Sequence, residues 1–255
     1  MKAILGTALS TAFFTLFTGL ASANLYSTDL YLNSDLDGDG QSEIARIVVD
    51  DPGGSGTFYY LLTIDTDDQG LRTDSALLGD RVQILSIDND QGNIRLDMVQ
   101  SGEGDAACCP THKVMRTWKL DDGKLKELPV KPYGRLDIID LSGGKWYLTR
   151  MDGQQVAADA GAYIAIDGTG KKLAGRSGCN NFTTTMEETG VGRLKIQAPM
   201  GATLMACPEP QMKLEKAFLE RLPKVTGYRW QVNQLTLDWE ADGKSGSLVF
   251  ERRDD

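Results

Sequence analysis

The sequence predicts a mainly β protein of the α+β class, in which an all-β first domain is followed by a second β domain that carries one helix. Short segments rich in Val, Ile, Tyr and Thr recur along both halves of the chain, and clusters of Gly, Asp and Asn separate them. A single segment instead repeats apolar residues at helical spacing. The 255 residues suffice for two such domains, each with its own core.

The first 23 residues have the pattern of a secretory signal peptide. Lys2 supplies a positive charge, residues 3–20 are apolar, small or hydroxylated, and Ala21-Ser22-Ala23 is a small-residue cleavage motif. We predict cleavage after Ala23 and a periplasmic or secreted mature protein. A membrane anchor is the alternative. The apolar stretch is short and no basic cluster follows it, so we expect no membrane span after cleavage.

An acidic loop follows near the start of the mature chain. Its carboxylates stand at alternate positions, and Gly40 lets the backbone turn, so that several hard oxygens face one point. Such oxygens suit Ca²⁺ better than zinc or copper, and we predict a structural calcium site. The predicted ligands are the side chains of Asp35, Asp37, Asp39 and Glu43, together with the carbonyl of Gln41.

This loop differs from that of a helical EF-hand, which needs a glutamate at the position where this chain has Arg46. It therefore resembles the calcium loops of dockerin-like and FG-GAP-type β modules, in which a strand follows at once. The alternative is a solvated acidic turn that binds nothing. Its four carboxylates would then repel one another, which favours the metal.

Residues 24–128 are predicted as the first β domain. Its strand candidates are residues 43–50, 57–65, 81–88, 93–99 and 113–120. Several Pro and Gly residues then make residues 129–144 a predicted linker, although residues 136–141 could add an edge strand.

Cys108, Cys109 and His112 lie close together near the end of the first domain. A disulfide that stabilises the loop, vicinal or otherwise, is the leading interpretation. A soft-metal site or a thiolate beside an imidazole is the alternative, and an inert packed pair is a third.

Residues 145–255 are predicted as the second domain. Its strand candidates are residues 145–150, 163–167, 172–177, 181–186, 193–198, 227–232, 234–239 and 247–251. In residues 210–222, Leu214, Phe218 and Leu222 recur every four residues between charged positions, which predicts an amphipathic helix that starts at Pro210 and stops before Pro223.

Cys179 and Cys207 both lie in this second domain. Exported proteins can keep disulfides, and a bond between these two would stabilise the domain by roughly 3–4 kcal/mol. We predict that bond. Two buried thiols in contact are the alternative.

The net charge of the chain and its lack of complete catalytic motifs narrow the classes of function that the sequence supports. The formal net charge of −9 argues against nucleic-acid binding, because acidic surfaces repel phosphate backbones. The sequence has a single histidine and no G-x-S-x-G motif, and its S-x-x-K and glycine-lysine segments lack the partners that those motifs need. We therefore predict a non-catalytic protein. An enzyme centred on Cys108, Cys109 and His112 is one alternative, and an inhibitor of an envelope hydrolase is another.

The second half resembles the META (HslJ-like) family of bacterial envelope proteins. The motif G-x-x-G-C-N is followed by T-x-M-A-C, and Asn181 stands where the family usually has an arginine. The signature positions are Gly175, Gly178, Cys179, Asn180, Thr203, Met205 and Cys207. The first half resembles, to a lesser extent, the N-terminal part of META-domain lipoproteins.

This resemblance implies a small curved antiparallel sheet packed on one helix, as in a lipid-binding pilotin. It also implies links to heat stress and antibiotic tolerance, with no established enzymatic reaction. We expect the signature to specify the fold. The expected function is that of an envelope or stress-response factor that binds an unknown envelope protein or a small apolar ligand through the META domain.

Overall fold

The structure is a computed structural model that describes residues 25–54, 56–67, 70–105, 109–231 and 233–253. The predicted signal peptide and Cys108 lie outside these residues. The strands of the first part of the chain are β1 (Leu25–Ser34), β2 (Glu43–Asp50), β3 (Phe58–Asp67), β4 (Gly70–Asp80), β5 (Gln83–Asp90), β6 (Asn93–Gln100), β7 (His112–Asp121), β8 (Lys124–Glu127) and β9 (Lys131–Arg135).

These strands form two antiparallel sheets around one core. The first has the order β1-β2-β3-β4, and the second has the order β5-β6-β7-β8 with β9 also paired to β7. Side chains join the sheets at both seams. Asn89 Nδ2 donates to Ser34 Oγ at 2.6 Å between β5 and β1, and the backbone N–H of Leu125 donates to Asp74 Oδ2 at 2.8 Å between β8 and β4. The buried residues Trp118, Ile84 and Leu61 belong to the core between them.

The second part of the chain forms a curved sheet. Its strands are β10 (Lys145–Met151), β11 (Gln154–Gln155), β12 (Tyr163–Ile166), β13 (Lys172–Arg176), β14 (Asn181–Gly190), β15 (Arg193–Ile196), β16 (Gly201–Ala202), β17 (Val225–Gln231), β18 (Gln234–Ala241) and β19 (Lys244–Arg253). The order is β15-β14-β13-β12-β10-β19-β18-β17, with β11 on β10 and β16 on β14. The backbone N–H of Tyr228 in β17 donates to the carbonyl of Gly192 at 2.9 Å, so the two ends of the sheet meet.

Among the described residues the single α-helix is α1 (Glu209–Arg221), which lies one residue earlier than the predicted 210–222. Phe218 and Leu222 are fully buried, and Leu214 packs against the same core. The Phe218 ring lies edge-on between Phe182 and Phe250, at centroid distances of 5.9 and 6.1 Å. The apolar stripe thus packs α1 onto the sheet, and the mainly β class with one helix is confirmed.

The segment predicted as a linker, residues 129–144, is ordered into two elements. β9 pairs with β7, and a 3-10 turn (Ile138–Leu141) takes the place of the edge strand considered for residues 136–141. Asp137 caps this turn by accepting a hydrogen bond from Ile139 N at 2.9 Å. Ile138 and Leu141 are buried in the core of the second domain. The apolar residues of this segment therefore favour a compact turn that fills the core over an extended strand.

The two halves of the chain also contact each other directly. Val99 and Leu85, from the first half, pack within the core of the second. Glutamine side chains of β5 and β17 connect the two strands across the junction. In the described part of the chain, no helix has both the length and the apolar character needed to cross a bilayer.

Candidate functional site

Asn180 connects the two halves of the family signature, which lie far apart in sequence. These are the signature turn (residues 175–180) and the signature loop (residues 203–207). The side chain of Asn180 is 2% exposed. Its Oδ1 accepts hydrogen bonds from the backbone N–H of Met205 at 2.7 Å and from Thr203 Oγ1 at 2.8 Å. The predicted signature positions are therefore brought together in space.

Glu215 of α1 completes this network. Its carboxylate accepts hydrogen bonds from Ser177 Oγ at 2.6 Å, from the backbone N–H of Asn180 at 2.8 Å and from Asn180 Nδ2 at 3.0 Å. Burial alone would raise the pKa of Glu215, but hydrogen bonds from Ser177 and Asn180 bring that pKa below its ordinary value. Glu215 is therefore charged near neutral pH and anchors α1 to the signature turn.

The predicted disulfide between Cys179 and Cys207 is present, with a Cα–Cα distance of 6.0 Å. Cys179, within the signature turn, is fully buried. Two glycines allow the turn to pack. A Cβ on Gly175 would lie 2.0 Å from the Tyr163 carbonyl oxygen, and Gly178 has a φ of +111°, where side chains are strongly disfavoured. The signature residues thus have a structural explanation, as expected from the resemblance.

A groove of about 420 Å³ lies beside this network, between the start of α1 and the segment around β11. We call it the α1 groove. Its apolar lining residues are Met151, Val156, Ala157, Ala160, Pro208, Pro210 and Leu214. Its polar lining residues are Gln154, Gln155, Gln211 and Asp159. Because Cys207 directly precedes Pro208, the disulfide holds one wall of the α1 groove in place.

Exposed apolar side chains stand close in sequence to this wall. Leu204 is 98% exposed, Met205 is 51% exposed and Met212 is 38% exposed. Methionine is flexible and polarisable, so it adapts to apolar partners of varied shape. The surface around the start of α1 is therefore suited to apolar contact.

A second cleft, of about 590 Å³, lies near the 3-10 turn and β14. Its lining includes Asp137, Glu187, Glu188 and Lys171 beside the apolar Ile139. Glu188 already accepts hydrogen bonds from Tyr228 OH at 2.6 Å and from Ile138 N at 3.3 Å. The α1 groove has fewer charged groups and is the better candidate for an apolar ligand.

The acidic loop brings three of its predicted ligands together. Carboxylate oxygens of Asp35, Asp37 and Asp39 lie within 4.8 Å of one another. These carboxylates also accept backbone N–H groups, including those of Gly38 and Gln41, each at 2.7 Å. A cluster of hard, anionic oxygens at this spacing fits a cation such as Ca²⁺.

Glu43 stands apart from that cluster. It is 2% exposed, and its Oε2 accepts the backbone N–H of Leu36 at 2.6 Å. Burial raises the pKa of Glu43, and the nearby charges of Asp37, Asp65 and Asp39 raise it further. The structure thus places Glu43 at the base of the loop, where it ties Leu36 to β2.

Sequence reasoning missed Asp105, whose side chain is only 2% exposed. Its carboxylate accepts hydrogen bonds from Thr111 Oγ1 at 2.5 Å, from Thr111 N at 2.9 Å, and from Gly102 N at 3.0 Å. It also contacts His112 Nδ1 at 3.1 Å and Arg135 Nη2 at 2.8 Å. Burial alone would raise the pKa of Asp105, but hydrogen bonds from Thr111, His112 and Gly102 hold it far below its usual range. Asp105 therefore organises the loop before β7.

The cysteines of that loop are described only in part. Cys109 takes part in a disulfide, and Cys108 lies outside the described residues. His112 is oriented by Asp105 through Nδ1. A carboxylate that contacts one ring nitrogen of a histidine fixes the orientation of the imidazole ring.

On the β11 side of the α1 groove, the lining residues carry no signal in the sequence. Gln154, Val156 and Asp159 lie outside every motif, and they meet Pro208 and Leu214 only through the fold. Glu215 lies within the predicted helix, and its position three residues before Phe218 could have indicated an inward-facing carboxylate.

Comparison with known families gives one finding. The model described as META domain matches residues 139–255, a range that includes the signature turn, the signature loop and α1. A search of curated proteins gave no match.

Proposed function

We propose, on the premise that residues 139–255 are a META domain, that this is an exported, non-catalytic envelope protein that binds a small apolar ligand in the α1 groove. The observation that supports this most is the groove itself. Its lining is largely apolar, and its volume of about 420 Å³ falls within the range of about 300–1,000 Å³ found for small-molecule sites.

The signature network supports a binding role over a catalytic one. Glu215 and Asn180 belong to the network that holds this wall, and both already make several hydrogen bonds within the protein. A general acid or base must exchange a proton with substrate, which these saturated groups are poorly placed to do. Their role in the proposal is to hold the start of α1 and thereby the groove.

We further propose that the protein reaches the periplasm or the exterior through cleavage after Ala23. The Cys179–Cys207 disulfide suits an oxidising compartment. In this setting the protein would act in envelope maintenance or stress response, alone or with an envelope partner.

We also propose that Asp35, Asp37 and Asp39 hold a structural Ca²⁺ ion. The close approach of three carboxylates supports this, because a divalent cation offsets their repulsion. The Gln41 carbonyl and Glu43 are the other two calcium ligands that the sequence predicts. Glu43 would act by fixing the base of the loop through its hydrogen bond to Leu36.

Titration with the neutral apolar dye N-phenyl-1-naphthylamine tests the ligand proposal on the mature chain. The dye should brighten on binding and be displaced by alkyl compounds. Ala157→Glu places a carboxylate in the α1 groove and should weaken binding by about tenfold or more, because burial of an unpaired charge is costly.

Ala174→Glu is the matched control, since Ala174 is exposed on β13 and outside the groove. It should leave dye binding unchanged. Equal binding by both variants, or no saturable binding by the parent protein, would refute the proposed ligand site.

A further inference from the structure

Asp159 is the charged residue that lines the α1 groove. It lies in a short 3-10 turn (Ala158–Ala160), where its side chain is exposed. Within the described part of the chain, its carboxylate forms no ion pair. The other residues that line the groove are apolar or neutral, and none of them is Lys, Arg or His. The groove therefore has a negative charge at its edge that the surrounding protein does not neutralise.

The neutral polar groups at the groove are amides. Gln154, Gln155 and Gln211 each offer both donors and acceptors, and in the described residues their side chains make no hydrogen bond. The carbonyl oxygens of these amides accept hydrogen bonds from primary ammonium or hydroxyl groups, and they present a partial negative charge to a quaternary ammonium group, which has no N–H to donate. They therefore provide additional contacts for a polar head group without selecting an anionic one.

The start of α1 is the feature that could favour an anion, because a helix N-terminus carries about half a positive charge. In this protein Glu209, in the first turn of α1, forms an ion pair with Lys213 at 2.7 Å, so the pair adds no net charge. The full negative charge of Asp159 exceeds the half charge of the helix terminus. The electrostatic balance at the groove is therefore negative, and the net charge of −9 acts in the same direction.

We infer that the α1 groove selects amphiphiles whose polar end is cationic, such as a primary amine or a quaternary ammonium group on an alkyl chain. The apolar lining takes the chain, and Asp159 and the glutamine amides face the head group. This inference rests on the proposed function, since it specifies the ligand class of the same groove.

The test compares three amphiphiles of equal chain length in the dye-displacement assay, each below its micelle concentration. They are decyltrimethylammonium, decyl glucoside and decanoate. The cationic compound should bind more tightly than the neutral one by roughly two- to fivefold, as expected of an ion pair in contact with water, and decanoate should bind least. Added salt should reduce these differences.

Charge variants identify the group responsible. Asp159→Asn should remove the preference for decyltrimethylammonium over decyl glucoside while leaving glucoside binding unchanged, and Asp159→Lys should favour decanoate. Asp29→Asn and Asp29→Lys change the net charge equally at an exposed site on β1 and should preserve the parental order.

The outcomes separate the two proposals. If no amphiphile displaces the dye, or no dye binds, the proposed function itself fails. If all three bind equally, or if the preference survives Asp159→Lys, the groove binds apolar chains but the inference about the head group is wrong. A preference that the Asp29 variants abolish equally would assign the effect to overall charge and would also overturn the inference.

Discussion

Gln83 and Gln231 each accept a backbone hydrogen bond from the other's strand across the junction between the two halves of the chain. Gln231 Oε1 accepts the backbone N–H of Ile84 at 2.7 Å, and Gln83 Oε1 accepts the backbone N–H of Trp230 at 2.8 Å. Gln231 Nε2 also donates to the Val82 carbonyl at 3.1 Å. Each amide therefore completes the backbone of the other strand, so the halves are expected to stabilise each other.

Replacement of Gln231 by Leu should destabilise the whole protein. The change leaves the Ile84 N–H and the Val82 carbonyl without these partners, which should cost about 1–3 kcal/mol of unfolding free energy. Urea unfolding followed by tryptophan fluorescence measures this. Gln155→Leu, at an exposed glutamine, is the control and should change stability little. Parental stability in the Gln231 variant would show that the junction contributes little.

Replacement of Glu215 by Gln should alter the pH dependence of stability. The pKa of Glu215 is below its ordinary value in the folded protein, so its contribution is present above the unfolded pKa of about 4.3 and is lost as pH falls through the lower folded pKa. The variant should be less stable at neutral pH and should lose less stability on acidification. Thermal unfolding at several pH values tests this. Glu220→Gln, on the exposed face of α1, should follow the parental curve.

Removal of the Cys179–Cys207 disulfide should weaken both the fold and the α1 groove. The bond closes a loop with a sequence separation of 28, which predicts a loss of about 3–4 kcal/mol in the double Cys179→Ala, Cys207→Ala variant. Dye binding should weaken at temperatures where the variant remains folded, because Pro208 loses its fixed neighbour. Unchanged affinity in the folded variant would indicate that Asn180 and Glu215 alone hold the groove.

Calcium should raise the unfolding temperature of the mature protein if the acidic loop binds it. At a free concentration about 100 times Kd, a bound ion adds about 2.7 kcal/mol to the stability. Differential scanning calorimetry with excess Ca²⁺ or chelator measures the shift. Asp37→Ala should abolish the shift, whereas Asp29→Ala, on exposed β1, should retain it. The same unfolding temperature with calcium and with chelator would rule out a stabilising site.

The sequence predicted the parts of the fold that have strong local patterns. The helix from its apolar stripe, the Cys179–Cys207 bond and the META signature all agree with the structure. β1 and β4 were not predicted. β4 contains Asp74 and Ser75 in its middle and exposes Leu71 and Leu77, so it lacks the regular alternation of a half-buried strand.

Other differences follow from tertiary contacts that no local pattern encodes. Pro132 suggested a linker, but a proline is acceptable in β9 because, among the described residues, that strand pairs only with β7. Asp105 and Arg135 meet across 30 residues of sequence, and the α1 groove brings together residues 151–160 and 208–214 of the second domain. Such sites arise from tertiary packing. The signature motif therefore predicts the fold of the domain and does not predict the groove.

The hydrogen bond between the Tyr228 N–H and the Gly192 carbonyl affects how readily the sheet can aggregate through its edges. Where the two ends of the curved sheet meet, the Tyr228 N–H and the Gly192 carbonyl are paired with each other within the molecule. An edge strand with unpaired N–H and C=O groups would act as a template, on which an extended segment of an unfolded protein could pair as an additional strand. A domain whose outermost strands meet at this point offers a shorter exposed edge for recruitment into aggregates.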